Sequence, residues 1–95
     1  MMDADRCAAV LVSRCTLLVT YHLDPSRSQA GGEGMVFELG WLAADARRWG
    51  VPIEAIVSGV GSELDGRYDR ETARRLFDGF IGAFRHATEA SPALT

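Results

Sequence analysis

From Thr16 the chain reads Thr-Leu-Leu-Val-Thr-Tyr-His-Leu, and Leu17, Val19, Tyr21 and Leu23 alternate with Thr16, Leu18, Thr20 and His22. A period of two, rich in β-branched and aromatic residues, predicts a strand. Asp24-Pro25 ends it because proline brings no N–H to a ladder, and residues 26–34 read as a polar, glycine-rich loop. Upstream, residues 7–12 fit either a partner strand joined through Ser13-Arg14 or a short helix capped by Asp3. The strand is slightly favoured, although Ser-Arg is poor turn chemistry.

The pattern then changes period. Met35, Leu39, Leu42, Ala46 and Trp49 recur at spacings of four and three, which predicts a helix over 35–49. Its stop is well marked: Arg47 and Arg48 suit the negative end of the helix dipole, Gly50 suits a left-handed C′ position, and Pro52 blocks continuation. Residues 53–60 are apolar and β-branched, and after Gly61-Ser62 the residues Leu64, Gly66 and Tyr68 alternate with Glu63, Asp65 and Arg67. A Gly-first two-residue loop is a type II′ signal, so 53–60 and 63–68 are expected to pair as an antiparallel hairpin. Asp69 is placed to cap a second helix running to Ala87, with Ala73, Leu76, Phe77, Phe80, Phe84 and Ala87 on one face. Glu71 with Arg75, and Arg74 with Asp78, form i,i+4 pairs on the other side.

These elements predict a small two-layer α+β sandwich, a mainly antiparallel sheet of three or four strands carrying two amphipathic helices on one face. One domain is expected over 1–90, with 91–95 as a flexible tail. Composition agrees with a folded domain: 95 residues, 47% of them hydrophobic and 24% charged, support one core and disfavour disorder. The net charge of −3 leaves no positive excess for phosphates, so no nucleic-acid partner is expected. No apolar run approaches the ~20 residues of a membrane span. The acidic start lacks the basic segment of a secretory signal, which points to the cytoplasm. There Cys7 and Cys15 read as small buried hydrophobes. Together with His22 and His86 they lack the short spacings of zinc sites, and no metal or cofactor is expected.

Two places invite a functional reading. Gly31-Gly32-Glu33-Gly34 precedes a helix, but it has neither the Lys-Ser/Thr of a P-loop nor the spacing of a dinucleotide loop, and Glu33 opposes an anion; it reads as a connector. Tyr21, His22 and Asp24 are the candidates for a small enzyme or ligand-binding pocket above the sheet. A Cys15–His22 dyad within the strand is disfavoured, since seven residues put the two on opposite faces and ~23 Å apart. His86 suits the C-terminal end of its helix in a structural role. On the first helix, Phe37, Trp41 and Ala44 form a second apolar line opposite the core stripe. A helix apolar on two sides wants two neighbours, so this line is the expected interface with a partner protein or a second copy, unless the N-terminal segment folds back over it. Gly79 and Gly82 within the second helix suit the close approach of another backbone.

The stretch Leu64-Asp65-Gly66-Arg67-Tyr68-Asp69-Arg70-Glu71-Thr72-Ala73-Arg74-Arg75-Leu76-Phe77, continuing through Phe80 and Phe84 to Ser91-Pro92, resembles the end of nonribosomal-peptide condensation domains and related carrier- or CoA-dependent acyltransferases. Those domains close with a strand, a Tyr-Asp step and an amphipathic helix, and Tyr21-His22-Leu23-Asp24-Pro25 is a fainter match to the same step. The resemblance covers residues 64–92. The family's His-His-x-x-x-Asp-Gly motif is missing, so no catalytic residue carries over, and the resemblance implies an accessory or remnant piece. The sequence therefore points first to a non-catalytic interaction or self-association module, and second to a small enzyme or ligand-binding protein around Tyr21, His22 and Asp24.

Overall fold

A computed structural model describes residues 3–24, 26 and 33–89. It contains four helices, α1 (Ala4–Leu23), α2 (Glu33–Arg48), α3 (Ile53–Arg67) and α4 (Arg70–Glu89). No strand occurs among the described residues, so the fold is all-helical and the α+β sandwich with its sheet is overturned. Residues 27–32 and 90–95, which include the first glycines of the expected connector and the expected tail, lie outside the described residues.

α1 replaces both of the strands expected before Asp24. Asp3 is its N-cap, with a side-chain oxygen accepting the Arg6 N–H at 2.8 Å. The segment then runs as one helix through Ser13-Arg14. Cys7, Leu11, Cys15 and Val19 recur every four residues and are buried, with Val12, Thr16 and Thr20 buried beside them. The alternation over 16–23 was a second reading of the same residues: in the helix Thr16 and Thr20 turn inward, whereas Leu17 and Tyr21 turn to solvent. Thr20 keeps its hydroxyl bonded by donating to the Leu17 carbonyl at 3.0 Å. Each β-branched residue costs a helix only tenths of a kcal/mol, while burying a Leu- or Val-sized side chain contributes ~1.5–3 kcal/mol, so tertiary burial outweighs strand propensity here.

α3 replaces the expected hairpin. Ile56, Val60 and Leu64 are its buried stripe, and Gly61-Ser62 lies in mid-helix rather than in a turn. Its glycines mark close approaches. A Cβ on Gly59 would lie 2.6 Å from Val12 Cγ2 on α1, and one on Gly61 would lie 3.1 Å from the Phe77 ring on α4.

α2 and α4 follow the sequence pattern. Met35, Leu39, Leu42 and Ala46 are buried on α2, and Trp49 just beyond it is half-buried. Gly50 has φ +69°. Val51 N–H donates to the Ala46 carbonyl at 2.8 Å and Gly50 N–H to that of Arg47 at 3.3 Å, the paired bonds of a Schellman stop. On α4, Ala73, Leu76, Phe80, Phe84 and Ala87 are buried and Phe77 is half-buried. Asp69 caps this helix: hydrogen bonds from Thr72, side chain first, hold its carboxyl below the usual range. The ionised cap therefore contributes above that range and is lost as pH falls through the lowered value. The exposed Glu71–Arg75 pair, at 3.5 Å, contributes little.

α1 packs against all three other helices, and α4 also packs on both α2 and α3. Phe80 sits at the centre, fully buried, its ring stacked on Phe84 at 5.3 Å and 16° and tilted against Phe77 at 6.3 Å. Gly79 is a close contact, but with a side chain: its Cβ would lie 2.6 Å from Leu23 Cδ1 of α1, so the chain itself fills that place. Gly82 faces open space, so no neighbouring backbone accounts for it.

Candidate aromatic groove

Leu17 and Tyr21 on α1, and Phe37 and Trp41 on α2, are the large hydrophobic side chains left exposed among the described residues, at 55%, 53%, 67% and 68%. All four line one open groove of about 760 Å³ between these helices. α1 contributes Arg14, Leu17, Leu18, Tyr21 and His22, a stripe at helical spacing. α2 contributes Phe37, Glu38, Trp41, Leu42 and Asp45, its matching stripe. The helices run antiparallel, since His22 near the end of α1 would lie 3.4 Å from a Cβ on Gly34 at the start of α2. The groove therefore has levels. Tyr21 and His22 stand toward the end of α1, Leu17 and Leu18 further back and Arg14 furthest, while on α2 Phe37 and Glu38, then Trp41 and Leu42, then Asp45 follow in the same direction along the groove.

The Phe37 and Trp41 rings pair at 5.9 Å between centroids, tilted by 42°, and Tyr21 meets His22 edge to face at 4.9 Å. Phe37 and Trp41 are thus where the second apolar line of the sequence puts them. Ala44, the third member of that line, is half-buried and outside the groove lining. The N-terminal segment does pack beside α2 as α1, but it leaves Phe37 and Trp41 exposed and adds its own Leu17 and Tyr21 to the same surface. Reading residues 16–23 as a strand hid that half of the groove. The i,i+4 pair Leu17 and Tyr21, outside the Cys7–Leu11–Cys15–Val19 stripe, is the signal that would have shown it.

The Tyr21, His22 and Asp24 set divides. Tyr21 and His22 line the groove, whereas Asp24 is buried and is not among the lining residues. Asp24 Oδ2 accepts the Tyr68 hydroxyl at 2.8 Å, and Oδ1 accepts the Ser26 N–H at 2.8 Å and the Ser26 hydroxyl at 2.7 Å. These bonds tie the end of α1 to the end of α3. Tyr68→Phe leaves a buried carboxylate short of one charge-assisted donor, an expected loss of ~1.5–3 kcal/mol. A thermal melt of that variant checks it; an unchanged midpoint removes the tether from the account of stability.

Cys15 is sealed in the core, where burial pushes its thiol up to about 12, so it presents no thiolate to His22. Cys7 is also buried, ~12 Å from Cys15 along α1 at the helical rise, beyond disulfide reach. His86 is exposed in the last turn of α4. Among the described residues, no group of three or more His, Cys, Asp or Glu is placed to hold a metal ion, and no helix is long and apolar enough to cross a membrane. No protein-family model, no curated protein and no solved structure matches the chain.

Proposed function

We propose that the chain is a non-catalytic docking module whose α1–α2 groove receives the apolar face of helices from a protein partner. The observation that carries this reading is the convergence of Leu17, Tyr21, Phe37 and Trp41 in one groove. A monomer that leaves three aromatic rings and a leucine in water on one contiguous strip forgoes burial that a partner helix would supply. An apolar strip of Leu17, Tyr21, Phe37 and Trp41 edged by the charged residues Arg14, Glu38 and Asp45 follows the usual anatomy of a helix-in-groove interface. The ligand-pocket reading rests on Tyr21 and His22 in a groove of small-molecule size. It loses its acid, because Asp24 is engaged with Tyr68 and Ser26.

The test uses Trp41 as its own reporter. In a Trp49→Phe chain Trp41 is the remaining tryptophan. Titration with an amphipathic leucine-rich helical peptide of about four turns is expected to move its emission to the blue with saturation. Phe37→Glu is expected to abolish that response while leaving the helical circular dichroism spectrum intact. Emission that stays in the water-exposed range throughout the titration overturns the docking reading.

A further inference from the structure

Resting on that docking reading, we infer that the occupant of the groove is a second copy of this chain, seated face to face about a two-fold axis that runs along the α1–α2 groove. In this arrangement α1 of each copy lies on α2 of the other, and the four helices form an antiparallel bundle around the shared aromatic strip.

Two properties of the groove carry the inference. The first is area. Three aromatic rings half to two-thirds exposed, with Leu17, present roughly 450 Å² per copy, at ~150–250 Å² for each fully covered aromatic side chain. Doubled across a symmetric contact and extended by the charged rim, this reaches the ~1,000 Å² at which a specific interface begins. A second helix pair covers more of both stripes than a single peptide helix does.

The second property is charge order, and it selects the axis. One end of the groove carries Arg14 and Asp45, the latter 3.9 Å from the exposed Arg48 of its own helix, and the other end carries His22 and Glu38. An axis along the groove keeps each level opposite itself and exchanges the helices. Arg14 then faces Asp45 of the second copy, His22 faces its Glu38, Leu17 faces its Trp41 and Tyr21 its Phe37. An axis across the groove would instead exchange the ends, placing Glu38 opposite Asp45 and Arg14 opposite His22. The first arrangement sets Arg14 against a carboxylate, places His22 beside Glu38 and puts apolar side chains on aromatic rings. The second sets two carboxylates against each other in a half-buried contact, which is costly.

The experiment is sedimentation velocity on the whole chain over a concentration series, with two charge reversals measured alone and mixed. Wild type is expected to pass from monomer to dimer as concentration rises, and Phe37→Gln with Trp41→Gln to hold it monomeric. Arg14→Glu sets glutamate against Asp45 in its own dimer, and Asp45→Arg sets arginine against Arg14, so each alone is expected to weaken dimerisation by about tenfold. In a one-to-one mixture both contacts become complementary, and a heterodimer of near wild-type affinity is expected. Rescue by mixing is intermolecular by construction. A mixture that sediments as the two variants do separately overturns the inference, as does a wild type that stays monomeric at every concentration. If either charge variant is unfolded by circular dichroism, Leu17→Cys and Trp41→Cys chains replace them. A disulfide formed between the two in the mixture supports the arrangement, and its absence under oxidation overturns it. A monomer that still binds the amphipathic peptide through Trp41 removes the second copy and leaves the docking reading standing; a monomer that does not removes both.

Discussion

Phe80→Ala lowers the thermal midpoint by about 12–40 °C, the product of a ~3–5 kcal/mol loss for emptying a buried aromatic site and ~4–8 °C per kcal/mol in a domain of this size. The position is severe for a structural reason. Phe80 has no exposed surface, stacks on Phe84 and leans on Phe77, on the helix that packs against all three others. Three helices must move inward to fill the void, and each is held by its own contacts. Total stability in domains of this size is commonly ~5–15 kcal/mol, so the variant sits near the edge of folding at ordinary temperature. Circular dichroism melts of wild type, Phe80→Leu and Phe80→Ala make the comparison. Leucine is expected to retain most of the stability, and a fall below about 5 °C for alanine would show that the core is looser than its burial indicates.

Gly59→Ala is the second large effect, and its sign runs against helix propensity. In an exposed helical position, glycine to alanine stabilises by up to ~1 kcal/mol. At Gly59 the added methyl meets Val12 Cγ2 at 2.6 Å and Cγ1 at 3.0 Å. A valine on a helix has one strongly preferred rotamer and cannot swing aside, so α1 and α3 must separate, at ~1–3 kcal/mol for an overpacked core. The net expectation is destabilisation by about 1–2 kcal/mol, measured by urea titration. Gly82→Ala supplies the contrast, because nothing lies within 4 Å of its Cβ position and the substitution should stabilise. Val12→Ala combined with Gly59→Ala relieves the clash, so the double variant should lie above the sum of the singles by about 1 kcal/mol or more. Simple additivity would mean that the two helices do not meet as closely as the structure places them.

Gly59 also shows why only half of this fold was legible in the sequence. α2 and α4 each bury one regular apolar stripe, with a stop at Gly50 and a cap at Asp69, and local signals suffice for them. In α1 the buried face includes Thr16, Thr20 and two cysteines, so the inward stripe is hardly more apolar than the outward one, where Leu17 and Tyr21 lie. A helix with hydrophobic residues on opposed faces can be read with a period of two over a short window, and β-branched content then favours the wrong answer. In α3 the glycines that admit Val12 and Phe77 look like turn residues until the neighbours are known. The α2 half of the groove, Phe37 and Trp41, was legible because its helix was. The α1 half became visible only when residues 4–23 were one helix. Asp24 was singled out for its carboxylate, but its role depends on Tyr68, 44 residues away.

The order in which the helices pack bears on how the chain is made. α1 pairs with α3, and α2 with α4, so the heaviest pairings skip a neighbour in sequence. A nascent chain that has exposed only α1 and α2 holds the aromatic groove and an unfilled core side by side, because Phe80 and Phe84 are still to be synthesised. α3 then gives α1 its main partner, but until α4 emerges α2 still lacks its own, and the surface that would dock a partner is for that interval continuous with one that must not. Correct assembly therefore favours partnering after α4 has packed, when the core has withdrawn from view and the groove alone remains.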